Sequence, residues 1–275
     1  MGTILAISSQ VARGHVGLAA VVPALHALGH EVIALPTVLL SNHPGHGAVA
    51  GQRIDPVLLG QMLATLDAHG WIAHVDAVLS GYLPTPEHVA VVVDAIARVR
   101  VRNPAATYFC DPVLGDDPKG LYIAEDAARA LAARLLPLAD VAFPNRFELA
   151  WLSNQLVTDV ASAVVAGRAL ASSVTVATSI PCPDDTLATV AVAGHESSVR
   201  AVARLNDVPN GTGDFLAGLF TGYRVNGCAV PVALEQSVLG VQRAICASSG
   251  RVELNLIAIL KGFSSELSPP MGALE

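Results

Sequence analysis

Charge is what this sequence has least of. Only 14% of its 275 residues are Asp, Glu, Lys or Arg, acids outnumber bases 23 to 16, and the net charge is -7. A chain without basic excess builds no field to hold nucleic acid or an anionic membrane, so a small-molecule partner is expected. Cysteine is almost as scarce. Cys110, Cys182, Cys228 and Cys246 lie far apart and form no C-x-x-C, which gives neither a zinc spacing nor a disulfide framework and predicts a reducing, cytoplasmic setting. Polar residues, Gly and Pro cut every apolar stretch short of the ~18 residues that a membrane span needs. The apolar start MGTILAIS has no basic n-region, so it reads as a first strand rather than a signal peptide. Two nucleotide-binding signatures are also missing. There is no G-x-x-x-x-G-K-[ST], and after Gly211 and Gly213 the next glycine is Gly218, which fits neither a Walker loop nor a dinucleotide fingerprint.

What is present is apolar and alternating. Hydrophobic residues make up 52% of the chain, enough to bury a large core, and one domain over 1–275 is expected, with 264–275 a frayed tail. Strand-like runs at 3–7, 31–35, 77–79, 107–110, near 141 and at 174–177 alternate with helix-spaced segments at 17–28, 56–69, 86–102, 124–135, 145–152 and 160–171. Residues 186–192 and 197–203 suit a hairpin across Gly194-His195, and the chain from Thr212 is mostly helical. This order predicts an α/β fold with a mainly parallel central sheet and helices on both faces. Ligands in such sheets sit at the carboxyl ends of the strands, which singles out the loops 8–17, 111–122 and 206–214.

The last of these runs NDVPNGTGDFLAGLF. Gly211 and Gly213 permit a tight turn with exposed backbone N–H groups, and the helix that follows adds the positive end of its dipole, so the loop can cradle an anion. Asp214 would be repelled by a bound phosphate unless it takes a proton from a hydroxyl attacking that phosphate. An aspartate capping the helix is the structural alternative. Asp111, at a strand end before Pro112, suits either a hydrated magnesium and phosphate region or a β-α turn acceptor. In FPNRFE, Asn145 and Glu148 share one helix face, which suits a hydrated magnesium or a capping box. In SNHPGHG, His43 and His46 flank proline and glycine; a cover over a substrate or a solvated turn fits better than a metal site.

Read together, ISSQVARGHVGLAA, LPTVLLSNHPGHG, LSGYLP, YFCDPVLGDDPKGLY, PLADVAFPNRFELAWL, VATS and NGTGDFLAG resemble the pyridoxal kinase family of the ribokinase superfamily, over nearly the whole chain. The resemblance implies a ribokinase-like fold and MgATP-dependent phosphorylation of the 5′-hydroxymethyl group of pyridoxal, with pyridoxine and pyridoxamine as further vitamers, in vitamin B6 salvage. It implies that Asp214 is the general base and that the backbone of Gly211, Thr212 and Gly213 is the anion hole. Asp111, Asn145 and Glu148 match positions around the hydrated Mg2+ and the phosphates, with Asp111 and Glu148 on the metal side. Thr178 and Ser179 match hydroxyls on the ATP phosphates, and Tyr122 matches the nucleotide side. Ser9 matches the serine that bonds the pyridine ring, with Val16 and Tyr82 in the same slot and His43 and His46 in the segment that covers it. A homodimer is implied too.

Some positions depart from the family. Pro44 stands where many members carry threonine, which removes a hydroxyl from the vitamin side. Phe143 replaces a threonine and with it a side-chain ligand for an activating monovalent cation, K+ or Na+. Leu18, Pro36 and Leu39 replace polar residues and read as packing changes. Two alternatives stay open: a hydroxymethylpyrimidine kinase, and a catalytically weak relative that binds a B6 compound.

Overall fold

The computed structural model describes residues 1–205 and 207–260; the expected tail at 264–275 lies outside them, as does Asn206 before the glycine loop. From the start of the chain the order is β1 (Thr3–Val11), α1 (Leu18–Ala27), β2 (Glu31–Leu40), β3 (Gly51–Arg53), α2 (Pro56–Ala68), β4 (Val75–Ser80), α3 (Pro86–Arg102) and β5 (Thr107–Cys110). A short hairpin of β6 (Gly115–Asp116) and β7 (Gly120–Leu121) follows, then α4 (Glu125–Arg134), β8 (Val141–Ala142), α5 (Arg146–Ser153) and α6 (Val160–Ala169). β9 (Val174–Cys182), β10 (Thr186–Ala193), β11 (Glu196–Ala203), α7 (Thr212–Val225) and α8 (Val230–Ala247) complete it.

Nine strands form one sheet in the order β11-β10-β9-β8-β5-β4-β1-β2-β3. The six from β9 to β2 pair in parallel, while β10, β11 and β3 add antiparallel edges. Alternation along each strand sends side chains to opposite faces. Leu5, Ile7, Val75, Val78 and Tyr108 pack under α2, α3 and α4. Ile4, Ala6, Ala77, Leu79 and Phe109 pack under α1, α7 and α8. At the far end Ala177, Ile180 and Val190 lie under α5 and α6. Helix starts follow local chemistry: Asp55 accepts the Val57 N–H at 2.8 Å ahead of Pro56, and Asp159 accepts the Ser162 N–H at 2.8 Å.

Three strands are longer than their apolar runs. β1 continues through Ser8-Ser9-Gln10 because β2 continues beside it, with a register shift between Ser8 and Gln10. β2 reaches Leu40 through Pro36, whose missing N–H is tolerated because β3 pairs only with Val38–Leu40. β9 runs on to Cys182 past a register shift against β10. The hairpin across Gly194-His195 forms as expected.

Of the departing residues, Leu18 is buried in the core between β1 and α7, whereas Leu39 is exposed. Phe143 is also buried, its ring stacked on Phe109 at 6.3 Å and set edge-on to Phe220 at 5.4 Å. Truncating such a ring leaves a cavity between sheet and helix, so Phe143→Ala is expected to cost about 3–5 kcal/mol. Urea unfolding followed by circular dichroism measures it; a loss below about 1 kcal/mol would mean that the aromatic cluster does not hold α7 to the sheet.

Candidate active site

The chain places β2 on one side of β1 and β4 on the other, so the sheet's order reverses at β1 and leaves a crevice at its carboxyl end. A narrow cleft opens there, lined by Ile7, Ser8, Ser80, Gly81, Asp111 and Asp214 among others. Asp111 follows β5 directly, and Asp214 is the third residue of α7.

α7 enters the cleft through Gly211, at φ 96°. A Cβ at Gly211 would land on the carbonyl oxygen of His15, so this left-handed, crowded position admits only glycine. Val16 packs against the same glycine. The helix has no side-chain cap, and there is open space where a Cβ on Gly213 would sit. Its first N–H groups are therefore available to an incoming anion. Gly211 holds the N-cap position, and Asp214 stands in the first turn of α7.

Burial pushes the Asp214 carboxyl up to about 6, against the N–H groups of Gly17 and of Asp214 itself, which pull it down. Asp111 is 9% exposed. Desolvation raises it well above the carboxylate range, and the charges of Asp214 and then Glu148 raise it further. No hydrogen bond from the described residues reaches its carboxylate. A buried, unpaired carboxylate is a poor structural residue and a good partner for a cation.

The Asn145/Glu148 pair is a capping box, and it does more than start α5. Asn145 Oδ1 accepts the Glu148 N–H at 2.9 Å, and Glu148 Oε2 accepts the Asn145 N–H at 2.9 Å. Glu148 Oε1 reaches across to the N–H groups of Leu114 at 2.8 Å and Gly115 at 3.3 Å, while Asn145 Nδ2 donates to the Gly115 carbonyl at 2.8 Å. The box clamps the loop that carries Asp111 onto the end of β8. Burial pushes Glu148 up to about 8 against these three N–H donors. With both oxygens taken by backbone N–H groups, Glu148 holds the Asp111 loop in place beside the cleft.

Asn145 bridges to Thr178, whose N–H donates to the Pro144 carbonyl at 3.0 Å. Next to it Ser179 is exposed in the left-handed region at φ 60°, a strained place for serine that turns its hydroxyl out of the strand. Tyr122, at the end of the β6–β7 hairpin, is 47% exposed, and burial followed by the charges of Asp116 and Glu148 pushes its phenol up to about 12. Across the cleft, Ser9 is half-buried against Gly17. Tyr82 is fixed at both backbone groups: its N–H donates to Ser8 Oγ at 3.0 Å, and its carbonyl accepts from Thr37 Oγ1 at 2.8 Å. Ser8 and Thr37 were missed from the sequence; Ser8 stands beside Ser9 after an apolar run and Thr37 is the one hydroxyl in β2, which is the only signal they give.

The segment 41–50 folds back on itself as a flap. Ser41 N–H donates to the Ala50 carbonyl at 2.7 Å, Asn42 Nδ2 to the Ala48 carbonyl at 3.1 Å, and Pro44–His46 forms a 3-10 turn with His43 Nδ1 accepting the Gly45 N–H at 3.1 Å. Pro44 thus sets the turn at its first position. His43 and His46 do not hydrogen-bond to Ser9, Val16 or Tyr82; His46 Nε2 lies 2.9 Å from Glu253 Oε1. The pKa of His43 is lowered, by burial first and then by the charges of His46 and Lys119. Among the described residues no three His, Cys, Asp or Glu side chains are grouped to hold a metal, and no helix is long and apolar enough to cross a membrane.

Residues 16–255 match the sequence model of the phosphomethylpyrimidine kinase family. The chain is similar to Pyridoxal kinase PdxY of Deinococcus radiodurans, 37% identical over 269 residues that cover 93% of this chain and 90% of that protein. It is also similar to Pyridoxal kinase PdxY of Leifsonia xyli subsp. xyli, 36% identical over 92% of this chain and 93% of the relative. Among solved structures, pyridoxal kinase from Leishmania donovani in complex with ADP and pyridoxine superposes with a TM-score of 0.89 at 29% identity, covering 95% of this chain and 94% of that one. Pyridoxal kinase from Entamoeba histolytica shares the fold, with a TM-score of 0.89 at 22% identity over 95% of both chains.

Two outcomes are expected from this geometry. A carboxyl whose folded pKa is raised favours folding at low pH and loses that contribution as pH rises through about 6. Asp214→Asn is therefore expected to melt higher than the parent at pH 8 and to converge with it near pH 4; equal melting at both pH values would mean that the carboxylate is not desolvated. Ser179→Gly, by relieving the left-handed backbone, is expected to stabilise by up to about 1 kcal/mol in urea titration, and a clear loss would show that the hydroxyl anchors the strand.

Proposed function

The chain belongs to the pyridoxal kinase family, and on that premise we propose that it transfers the γ-phosphoryl group of ATP to the 5′-hydroxymethyl group of pyridoxal, giving pyridoxal 5′-phosphate and ADP. The observation that carries this reading is the pairing in one cleft of the Asp214 carboxylate with the uncapped start of α7. Asp214 takes the hydroxyl proton as the alcohol oxygen bonds to the γ-phosphorus and the bond to the β-phosphate oxygen breaks. The N–H groups of Gly211, Thr212 and Gly213 receive the negative charge of the transferred group.

Magnesium, when bound with ATP, would neutralise phosphate charge; the unpaired Asp111 is the residue suited to hold the hydrated ion, with Glu148 behind it fixing the Asp111 loop. Asn145, Thr178, Ser179 and Tyr122 would line the nucleotide side. Ser9, Val16 and Tyr82 would form the slot for the pyridine ring, under the flap that carries His43 and His46. Pyridoxine and pyridoxamine are further substrates of this reading. Phe143 points into the core and offers no oxygen to K+ or Na+, so activation by a monovalent cation would rest on other groups. A cytoplasmic homodimer completes the proposal.

With MgATP and pyridoxal, purified protein is expected to form pyridoxal 5′-phosphate and ADP, and Asp214→Ala to lower kcat by about 10²–10⁴-fold with the KM for ATP little changed. Because the base must be ionised, kcat/KM for the parent is expected to fall as pH drops through about 6. Hydroxymethylpyrimidine belongs in the same assay, given the description of the matched family. Turnover of the pyrimidine alone would reassign the substrate, and an active Asp214→Ala enzyme would remove the assigned base.

A further inference from the structure

The flap is tied to the protein body at its root, where the N–H groups of Ala12 and Arg13 donate to the carbonyls of Leu40 and Ser41 at 2.8 and 3.0 Å. Beyond the root its backbone bonds are internal. Its tip meets the body at two places. Gly45 lies beside Asn210 of the glycine loop, where a Cβ would be 3.4 Å from the asparagine Nδ2. His46 Nε2 lies 2.9 Å from Glu253 Oε1, with 27% and 18% of the two side chains exposed.

Glu253 comes from the segment after α8, some 200 residues away, and is firmly placed. Leu254 and Leu256 beside it are buried against Ala20, Ala24, Phe215 and Leu219. Asn255 N–H donates to Ser248 Oγ at 2.8 Å, and Asn255 Nδ2 donates to the Ala247 carbonyl at 3.2 Å. The carboxylate also lies directly over Gly14 in the turn after β1, where a Cβ would run into both of its oxygens. One carboxylate therefore touches the β1 turn and the flap tip, and it stands on the same helix packing that carries Asp214.

We propose that Glu253 is a positioning residue, the catch that holds His46 and with it the 41–50 flap closed over the vitamin side of the cleft. The inference deepens the kinase reading and rests on it for its functional half. A closed flap orders the slot around the acceptor hydroxyl and keeps water from competing for the phosphoryl group. Releasing the catch weakens vitamin binding and lets water in, whereas the chemical groups at Asp111, Glu148 and Asp214 are untouched.

The test compares Glu253→Ala, Glu253→Gln, His46→Ala and the double alanine variant; His46 sits on the surface flap, so its variant folds even if loss of Glu253 does not allow folding. Hydrogen–deuterium exchange of amides 42–48 is expected to rise about 3- to 10-fold in both single alanine variants, and no further in the double. This readout does not depend on what the enzyme phosphorylates. In turnover, the KM for pyridoxal is expected to rise about 5- to 20-fold with a smaller change in kcat and none in the KM for ATP, with more ADP formed without vitamin and partial rescue in Glu253→Gln. Unchanged flap exchange, or additive effects in the double variant, would overturn the catch. Faster exchange with an unchanged KM for pyridoxal would overturn the positioning role, while exchange that rises in a protein inactive on pyridoxal would uphold the catch and put the substrate reading at fault.

Discussion

Asp111 and Asp214 are held out of water in one cleft at the ends of parallel strands, where burial raises both carboxyls and the charge of Asp214 raises Asp111 further. An arrangement of that kind persists only if the backbone around it is fixed by other means. Here those means are Gly211, which presses α7 against the His15 carbonyl, and the Asn145/Glu148 box, which ties the Asp111 loop to the end of β8. The cost of burying the acids is offset by the apolar packing around the cleft, in the aromatic stack of Phe109, Phe143 and Phe220 and in the α1–α7 interface. A bound phosphate chain with its metal would find the positive end of a helix on one side and unpaired carboxylate on the other.

Much of this was legible in the residues because period and punctuation agree. α3 and β5 fall on the residues expected for them, since Pro86 and the apolar run TYFC mark their bounds unambiguously. β3 and the β6–β7 hairpin were invisible, for strands of two or three residues carry no period to read. The extension of β1 through polar residues was hidden for another reason: it is decided by the neighbouring strand rather than by the strand itself.

The cleft shows the same division. Asp214 and its glycines stand together in a motif, so their proximity could be read directly. For Asn145 and Glu148 the spacing left a cap and a metal site as alternatives, and the structure makes the cap the means by which the Asp111 loop is held. Ser8, Thr37 and Glu253 act through partners far along the chain, at Tyr82 and at His46. Nothing local distinguishes such residues from ordinary strand hydroxyls or a surface acid.

The packing of α1 on α7 bears on how the molecule is assembled. Gly218 of α7 lies so close to Ala24 and Val21 of α1 that a Cβ would stand 3.0 Å from the alanine methyl. These helices are nearly 200 residues apart, so the β1–α1–β2 unit leaves the ribosome with one face of its helix bare and waits for most of the chain before its cover arrives. During that interval the apolar surface of α1 is open to wrong partners. Synthesis thus yields a catalytic cleft only at the closing stage of folding, when the early and late segments meet.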